Sequence, residues 1–261
     1  MSVVHLSVHS HYSLLNGLPK IPDIVGQASV YGMEAIALTD RNNLYGAIEF
    51  YKTCHKKNIK PIIGVDLDCE LDGGRIHLIF LAENTAGYHT LVKLVSAAQL
   101  EEKGNPHATL EHLTRYGKNL IVLVPESALQ SGGTKLATTL TDIFGTDNVF
   151  ARIGWNGSRE AVRESVQRAR TADLPLVAGD GAYYLKEEDR DARDIVRRIA
   201  DPSAERDGND RTFISPHQFE ERYREFPDAL QNASDIAKRV HITLSLGSWV
   251  FPNFSIPHGF P

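Results

Sequence analysis

The chain has 261 residues, of which 42% are hydrophobic, and its 28 lysine and arginine residues against 33 aspartate and glutamate residues give a formal net charge of -5. This composition suits a folded protein and excludes a disordered or collagen-like chain. No apolar stretch approaches the roughly 20 residues that cross a bilayer, and no apolar signal core follows Met1. The sequence therefore predicts a cytoplasmic protein without a membrane partner. Because a basic surplus is lacking, contact with DNA is expected mainly through other domains.

Short apolar runs alternate with amphipathic segments up to about residue 180, which predicts parallel strands separated by covering helices in an α/β fold. The first helix is expected to begin near Pro22 and to end at Gly32. After residue 180 the alternation stops, and helices are predicted at 189–200, 215–225 and 227–240, with a mobile polar loop at 201–211. The predicted strands are residues 3–9, 34–39, 60–66, 76–82, 120–124, 149–153 and 174–178.

Polar residues at the carboxyl ends of the predicted strands are the first candidates for a site, because loops converge on that rim of a parallel α/β fold. Alternation along the first strand also places His5, Ser7, His9 and His11 on one face, where imidazoles could bind a metal. The alternative is that these histidines bond neighbouring backbone groups or carboxylates. The strand-end candidates are His9, His11, Asp40, Arg41, Asp66, Glu126 and Asp180, with His77 inside the fourth apolar run.

Other catalytic signatures are missing from the sequence. It contains no H-E-x-x-H zinc helix, no phosphate-binding P-loop, no G-x-S-x-G nucleophile elbow and no G-x-G-x-x-G dinucleotide turn. Its two cysteines, Cys54 and Cys69, do not have zinc-finger spacing. Hydrolases that depend on those devices are therefore disfavoured.

Five segments in order resemble the polymerase-and-histidinol-phosphatase (PHP) family, in the form that opens the alpha subunit of bacterial DNA polymerase III. They are HLSVHSHYSLLNG at 5–17, ALTDRNNLYGAIEFY at 37–51, IKPIIGVD at 59–66, HLIFLAENTAGY at 77–88 and LVAGDGAYY at 176–184. The resemblance implies a distorted (βα)7 barrel at about 1–185 and a C-terminal helical extension at about 186–250, together forming one PHP domain. Residues 251–261 would be a truncated linker towards the polymerase region.

The family's complete site holds up to three metal ions on nine ligands, mostly histidines. At the matching positions this chain retains the ligand type at His9, His77 and Asp180, whereas Asp66 and Glu126 carry oxygen ligands that could still coordinate. The positions that have lost their ligand are Ser7, Asn16, Arg41 and Ala182. The Arg41 cation would repel a divalent ion and could instead pair with Asp66 or Asp180.

We therefore expect a vestigial site with no metal cofactor and no catalytic residue in this chain. If an ion does bind, His9, His77 and Asp180, with Asp66 or His11, are the expected ligands for Zn²⁺, Mn²⁺ or Mg²⁺. Polymerisation, with its own Mg²⁺, would belong to a palm region that lies outside this chain.

The resemblance leaves three hypotheses for function. The first is a non-catalytic barrel in DNA replication that stabilises the rest of the alpha subunit, which is its main partner. This barrel would also offer a docking surface, which in some relatives binds a proofreading exonuclease subunit. The second is a metal-dependent phosphoesterase or 3′-to-5′ proofreading exonuclease with an altered site. The third is a free-standing PHP phosphatase.

Overall fold

The computed structural model describes residues 3–101, 104–155 and 157–247. The predicted linker at 251–261 lies outside the described residues. The strands are β1 (Ala35–Leu38), β2 (Lys60–Leu71), β3 (Gly74–Ala82), β4 (Ala108–Thr109), β5 (Leu120–Pro125), β6 (Val149–Ile153) and β7 (Leu176–Ala178). The helices are α1 (Ile21–Val30), α2 (Ala47–Lys56), α3 (Thr85–Glu101), α4 (Leu110–Arg115), α5 (Glu126–Phe144), α6 (Arg159–Thr171), α7 (Arg190–Ala200), α8 (Pro216–Tyr223) and α9 (Pro227–Arg239).

The strands form a curled sheet in the order β1-β2-β3-β5-β6-β7, with β4 paired to β2. The sheet is not fully parallel as predicted, because β3 runs antiparallel to both β2 and β5. The cause is a two-residue turn, in which Asp72 and Gly73 have φ values of 51° and 75°. An Asp-Gly pair with positive φ at both positions is typical of a tight β-hairpin, and it replaces the helical crossover that a parallel pair would need.

Residues 3–9 do not form a regular strand, which corrects the first predicted element. Their backbone nevertheless joins the two sides of the curled sheet. Ala37 N donates to His5 O at 2.9 Å, and on the other side Ala182 N donates to Ser7 O at 3.0 Å. Because this segment bridges β1 to the chain that follows β7, it closes the barrel and carries its side chains to the rim.

The barrel interior is filled by alternate strand residues such as Ile62, Ile79 and Leu123, all with at most 1% of their surface exposed. Helix α9 closes the amino-terminal end of the strands, where Asn232 Nδ2 donates to Leu176 O at 2.7 Å. The three predicted C-terminal helices are confirmed as α7, α8 and α9. Within the described residues, no helix is both long and apolar enough to span a membrane.

Candidate functional site

A cleft of about 500 Å³ opens at the end of the barrel that α9 leaves free. Strands β1, β5, β6 and β7 deliver their carboxyl ends or the loops that follow them to its wall, as expected for an α/β barrel, whereas Asp66 lies within β2 and His77 within β3. Asp180 and Ala182 are buried beside the cleft but do not line it. The predicted positions that do line it are Ser7, His9, Asn16, Arg41, Asp66, His77 and Glu126.

Asp66 lies at the centre of a hydrogen-bonded cluster on one side of the cleft. Its two carboxylate oxygens lie 3.3 Å from His9 Nε2 and 3.1 Å from His77 Nδ1. Burial alone would raise the pKa of Asp66, but the hydrogen bonds from His77 and His9 outweigh it and hold the pKa far below its usual value. The carboxylate is therefore ionised at neutral pH and can only accept, so the ring nitrogens facing it carry hydrogens.

His9 is held as a neutral imidazole in a fixed orientation. Burial lowers its pKa even though Asp66 attracts a proton to it. The ring stacks on Tyr183 with centroids 4.0 Å apart, and the Arg193 guanidinium lies 4.2 Å from the centroid of the same Tyr183 ring. Because the His9 ring and the Arg193 guanidinium both lie within 4.2 Å of one ring centroid, they contact opposite faces of Tyr183. The stacking therefore fixes the orientation of the His9 ring.

Arg41 reaches the same cluster from the loop after β1. Its Nη1 lies 3.9 Å from Asp66 Oδ2, and its Nη2 donates to Asp68. Asn42 Nδ2 also donates to Asp68, at 2.8 Å. Of the two partners expected for Arg41, Asp66 is therefore found and Asp180 is not. A cation thus lies beside the carboxylate on which both imidazoles converge.

Asp180 is held by a different set of groups. Its Oδ1 accepts from Trp155 N at 2.8 Å and from the Tyr223 hydroxyl, and its Oδ2 accepts from Arg222 Nη1 at 2.8 Å. Arg222 and Tyr223 lie at the end of α8. Two residues of the C-terminal extension thus bind the Asp180 carboxylate, which was expected as a possible metal ligand.

Asn16 is bound by a second arginine of the extension. Its carbonyl O and side-chain Oδ1 accept from Arg193 Nε and Nη2 at 3.2 and 2.9 Å, and Arg193 Nη1 lies 2.8 Å from Asp207. Burial alone would raise the pKa of Asp207, but Arg211 and Arg193 hold it well below its usual value. The segment 201–211, expected to be a mobile loop, is thereby anchored on the cleft.

The remaining three predicted positions differ in their surroundings; they are Glu126, Ser7 and Ala182. Glu126 begins α5 and pairs with Arg168 of α6, and burial raises its pKa although Arg168 opposes the shift. The Ser7 hydroxyl is buried without a hydrogen-bond partner among the described residues. Ala182 acts through its backbone, whose carbonyl accepts from His9 N at 2.9 Å.

Three further residues named in the sequence analysis, His5, His11 and Asp40, also do not line the cleft. His5 Nε2 faces the Ile214 carbonyl at 3.0 Å, and its ring packs on two phenylalanines, with centroids 4.6 Å from Phe213 and 4.7 Å from Phe219. His11 packs on Tyr12, and Asp40 accepts three hydrogen bonds from Ser10 and Ser13. The four residues at 5, 7, 9 and 11 therefore do not share one face, because residues 3–9 lack regular strand alternation.

The side chains at this cleft do not fit a divalent metal ion as they stand. In the part of the chain that the structure describes, no group of three or more His, Cys, Asp or Glu side chains has a metal-binding arrangement. His9 and His77 direct N–H groups at Asp66, Arg41 adds a positive charge to the same carboxylate, and Asp180 is occupied by α8. Ion pairs and hydrogen bonds thus engage the side chains that would have to coordinate an ion.

Four arginines that no sequence motif singled out line the cleft wall. Arg152, Arg193, Arg197 and Arg211 line it together with Arg41. Arg152 was accessible to the strand-end rule, since it lies one residue before the end of β6. The other three come from the helical extension, and no spacing in the sequence connects them to the barrel.

The PHP domain family matches residues 5–207 of the chain. The DNA polymerase III subunit alpha of Halalkalibacterium halodurans is 31% identical over 274 residues, covering 99% of this chain and 24% of that protein. The corresponding subunit of Escherichia coli strain K12 is 33% identical over 276 residues, covering 96% of this chain and 24% of that protein. The chain thus spans about a quarter of the length of these curated relatives.

Among solved structures, an amidohydrolase from Chromobacterium violaceum has a similar fold. It gives a TM-score of 0.53 at 13% sequence identity and covers 67% of this chain and 86% of that one. This likeness supports the barrel architecture. Since the family match extends over most of the described residues, including the cleft, the chain belongs to the PHP domain family.

Proposed function

We propose that this chain is a non-catalytic PHP domain of a bacterial DNA polymerase III alpha subunit, acting in the cytoplasm as a structural and docking module in DNA replication. The capture of Asp180 by Trp155, Arg222 and Tyr223 is the observation that carries the proposal. A carboxylate with these partners holds α8 against the barrel without any metal. The similarity to alpha subunits over nearly the whole chain supports the polymerase context.

Metal content and nuclease activity test the non-catalytic part of the proposal. The chain is purified in the presence of Zn²⁺ or Mn²⁺, dialysed, and analysed for bound metal, and it is assayed for 3′-to-5′ degradation of a DNA primer. We expect far less than one metal ion per chain and no degradation above background. Stoichiometric metal with Mn²⁺-dependent degradation would contradict the proposal.

An exposed apolar pair on α7 supports the docking part of the proposal. Ile195 and Ile199 lie one helical turn apart, and 63% and 67% of their surfaces are exposed. Because the curated relatives continue for about three quarters of their length beyond this region, the remainder of the polymerase is the proposed occupant of this face. In a full-length alpha subunit, Ile195→Ser with Ile199→Ser should lower the melting temperature, whereas Arg170→Ser, at an exposed position of α6 away from this face, should not. Equal melting temperatures for both variants would contradict this assignment.

The second candidate function is a phosphoesterase or proofreading exonuclease with an altered site. It is favoured by one observation, the convergence of His9 and His77 on Asp66 within 3.3 Å. These three residues could hold a single Zn²⁺, Mn²⁺ or Mg²⁺ only if both imidazoles released the hydrogens that now face Asp66 and Arg41 moved away. The metal and nuclease measurements above distinguish this candidate from the first.

A further inference from the structure

The outer face of the barrel carries a hollow with no carboxylate among the described residues of its wall. It has a volume of about 550 Å³ and is lined by Thr90, Lys93, Arg115, Tyr116 and Lys118. Among the described residues, no carboxylate lies within ion-pair distance of these three cations. In a chain whose net charge is -5, three positive charges thus lie together without a counter-charge.

This hollow is separate from the cleft at the other end of the barrel. Lys118 stands two residues before Leu120, where β5 begins, whereas Pro125 at the far end of β5 lines the cleft. The other two cations lie on the helices outside the sheet, Lys93 on α3 and Arg115 at the end of α4. The hollow and the cleft share no lining residue, so a ligand bound here would leave the cleft open.

The backbone that presents two of the cations is held tightly against the barrel. A β-carbon at Gly117 would lie 2.7 Å from Leu113 O, so this loop packs closer than a larger residue would allow. Tyr116 packs on the main hydrophobic core, and the Arg115 guanidinium lies 5.4 Å from the centroid of its ring. This is a cation–π distance. Because Arg115 and Lys118 are positioned before any ligand arrives, binding loses less conformational entropy.

All five residues that line the hollow are of types that contact nucleic-acid phosphates. Such contacts come from lysine, arginine, serine, threonine and tyrosine side chains, among others. The hydroxyl groups of Thr90 and Tyr116 have no hydrogen-bond partner among the described residues. The hollow therefore offers two hydroxyl groups beside three cations to the oxygens of a phosphodiester.

Two neighbouring hollows extend the surface that lacks carboxylates. One is lined by His55 and Lys60, the other by His89, and Thr243 lines both. His89 lies one helical turn before Lys93 on α3, which connects this surface to the first hollow. Neither neighbour has a carboxylate among its described lining residues. An extended surface of this kind suits a long polyanion better than a compact anionic ligand.

We propose that Lys93, Arg115 and Lys118 bind the phosphodiester backbone of DNA without reading its sequence. The inference rests on the polymerase context of the proposed function, which places the chain beside DNA. Single-stranded and duplex DNA offer the same phosphate chemistry, and the contact requires no base edge. DNA would thus be held on the outside of the barrel, away from the cleft.

Fluorescence anisotropy titrations of the EDTA-treated chain with labelled single-stranded and duplex DNA test the proposal. We expect saturable binding of at least one form that weakens as the salt concentration rises from about 50 to 200 mM. The variant Lys93→Gln, Arg115→Gln, Lys118→Gln should bind about tenfold more weakly at the lowest salt concentration. It should also reduce the slope of log affinity against log salt concentration by about two to three, because each lost phosphate contact releases about one counterion fewer.

A matched control removes three exposed positive charges elsewhere, in Lys20→Gln, Arg170→Gln, Arg198→Gln. It changes the net charge by the same amount and should weaken DNA binding by less than about twofold. Circular dichroism verifies that both variants are folded. If the first does not fold, Lys93→Gln with Lys118→Gln leaves Arg115 on Tyr116 and should still reduce the salt slope by about one to two.

Three outcomes would overturn the inference. One is no saturable binding of either form of DNA at the lowest salt concentration, and another is an equal loss of affinity in the two triple variants. The third is displacement of the DNA by polyglutamate as effectively as by unlabelled DNA, which would indicate an acidic protein as the partner. Degradation of the bound DNA after Mn²⁺ is added would contradict the proposed non-catalytic function, whereas a folded chain that binds no DNA contradicts this inference alone.

Discussion

The two buried carboxylates Asp66 and Asp180 differ in what binds them. Asp66 faces two imidazoles, groups that release or take up protons near neutrality and that also bind metals. Asp180 faces a guanidinium, a phenol and a backbone amide, none of which is a good ligand for a metal or changes its charge near neutral pH.

This difference distinguishes a side of the cleft that links the C-terminal extension to the barrel from a side whose contacts lie within the barrel. On the Asp180 side, α8 supplies both side-chain partners, so the carboxylate links the extension to the barrel. On the Asp66 side, the partners His9 and His77 belong to the barrel itself, and Arg41 is the added group. Removal of each carboxylate should therefore have unequal effects on stability.

Asp180→Asn should have the largest effect. It removes the buried charge that binds the Trp155 amide, Arg222 and Tyr223 and leaves the Arg222 guanidinium, only 16% exposed, with the half-buried Asp210 as its remaining carboxylate, at a cost of about 3 kcal/mol in the free energy of unfolding. Asp66→Asn should cost about 1–2 kcal/mol, because two imidazole hydrogen bonds are weakened while Arg41 keeps Asp68. Urea unfolding measures both. The exposed pair of Asp235 with Lys238 provides the control, and Asp235→Asn should change stability by less than about 0.5 kcal/mol. Equal losses for the two buried positions would contradict the comparison.

The pH dependence of stability should reveal His5, which lies near Asp180. Burial lowers the pKa of His5 from 6.5 to about 4, although Asp180 opposes the shift. Below pH 6.5 the unfolded chain therefore takes up a proton that the folded chain refuses, so stability falls as the pH falls towards 4.

His5→Gln should remove this part of the slope, worth about 2 kcal/mol between pH 7 and pH 5. His217→Gln, at an exposed position on α8, is the matched control and should leave the slope unchanged. Unfolding in urea at a series of pH values makes the comparison. A slope that is identical in His5→Gln and the unsubstituted chain would show that His5 is not a buried neutral imidazole.

Tyr223→Phe sharpens the comparison by removing a single partner of Asp180. The ring stays packed against Phe219, with centroids now 4.9 Å apart, while the hydroxyl that donates to Asp180 is lost. We expect a loss of about 1.5 kcal/mol in the free energy of unfolding, as for a hydrogen bond to a charged group. Tyr45→Phe, at an exposed tyrosine, should have no measurable effect. If both variants unfold alike, the phenol does not stabilise the buried carboxylate.

Restoring metal ligands on the Asp66 side should have the smallest effect on stability. Ser7→His combined with Arg41→His would place two further imidazoles near Asp66 and remove the cation. With Zn²⁺ at about five times its dissociation constant, the variant should gain about 1 kcal/mol, seen as a rise in melting temperature. The unsubstituted chain should show no rise. Ala182→His is left out of this design because Ala182 packs in a hydrophobic core cluster, where a larger side chain would overpack, whereas the equally buried Ser7 lines the cleft.

The Asp66 side was predictable from the sequence because its residues lie in short motifs at strand ends. His9, Arg41, Asp66 and His77 each follow or lie within an apolar run that periodicity identifies, and all four line the cleft. The Asp72-Gly73 pair is a turn signal in the sequence, but the expectation of a parallel sheet left the hairpin unpredicted. The family resemblance identified the barrel that closes these strands into one rim.

The Asp180 side was not predictable in the same way. Arg222 and Tyr223 lie 42 and 43 residues after Asp180, on a helix whose periodicity says nothing about which face meets the barrel. Arg193 is 177 residues from Asn16, so this contact depends entirely on how α7 packs. Ion pairs between distant elements follow from tertiary packing, and the spacing of charges along a sequence does not reveal them.

The central claim is that hydrogen bonds and ion pairs hold this cleft in place of metal ions. The most direct measurement is anomalous diffraction at the zinc and manganese absorption edges, from crystals of the chain grown with each metal. The account predicts no anomalous peak within coordination distance of Asp66 or Asp180. Two or more strong peaks bridging His9, His77 and Asp180 would contradict it.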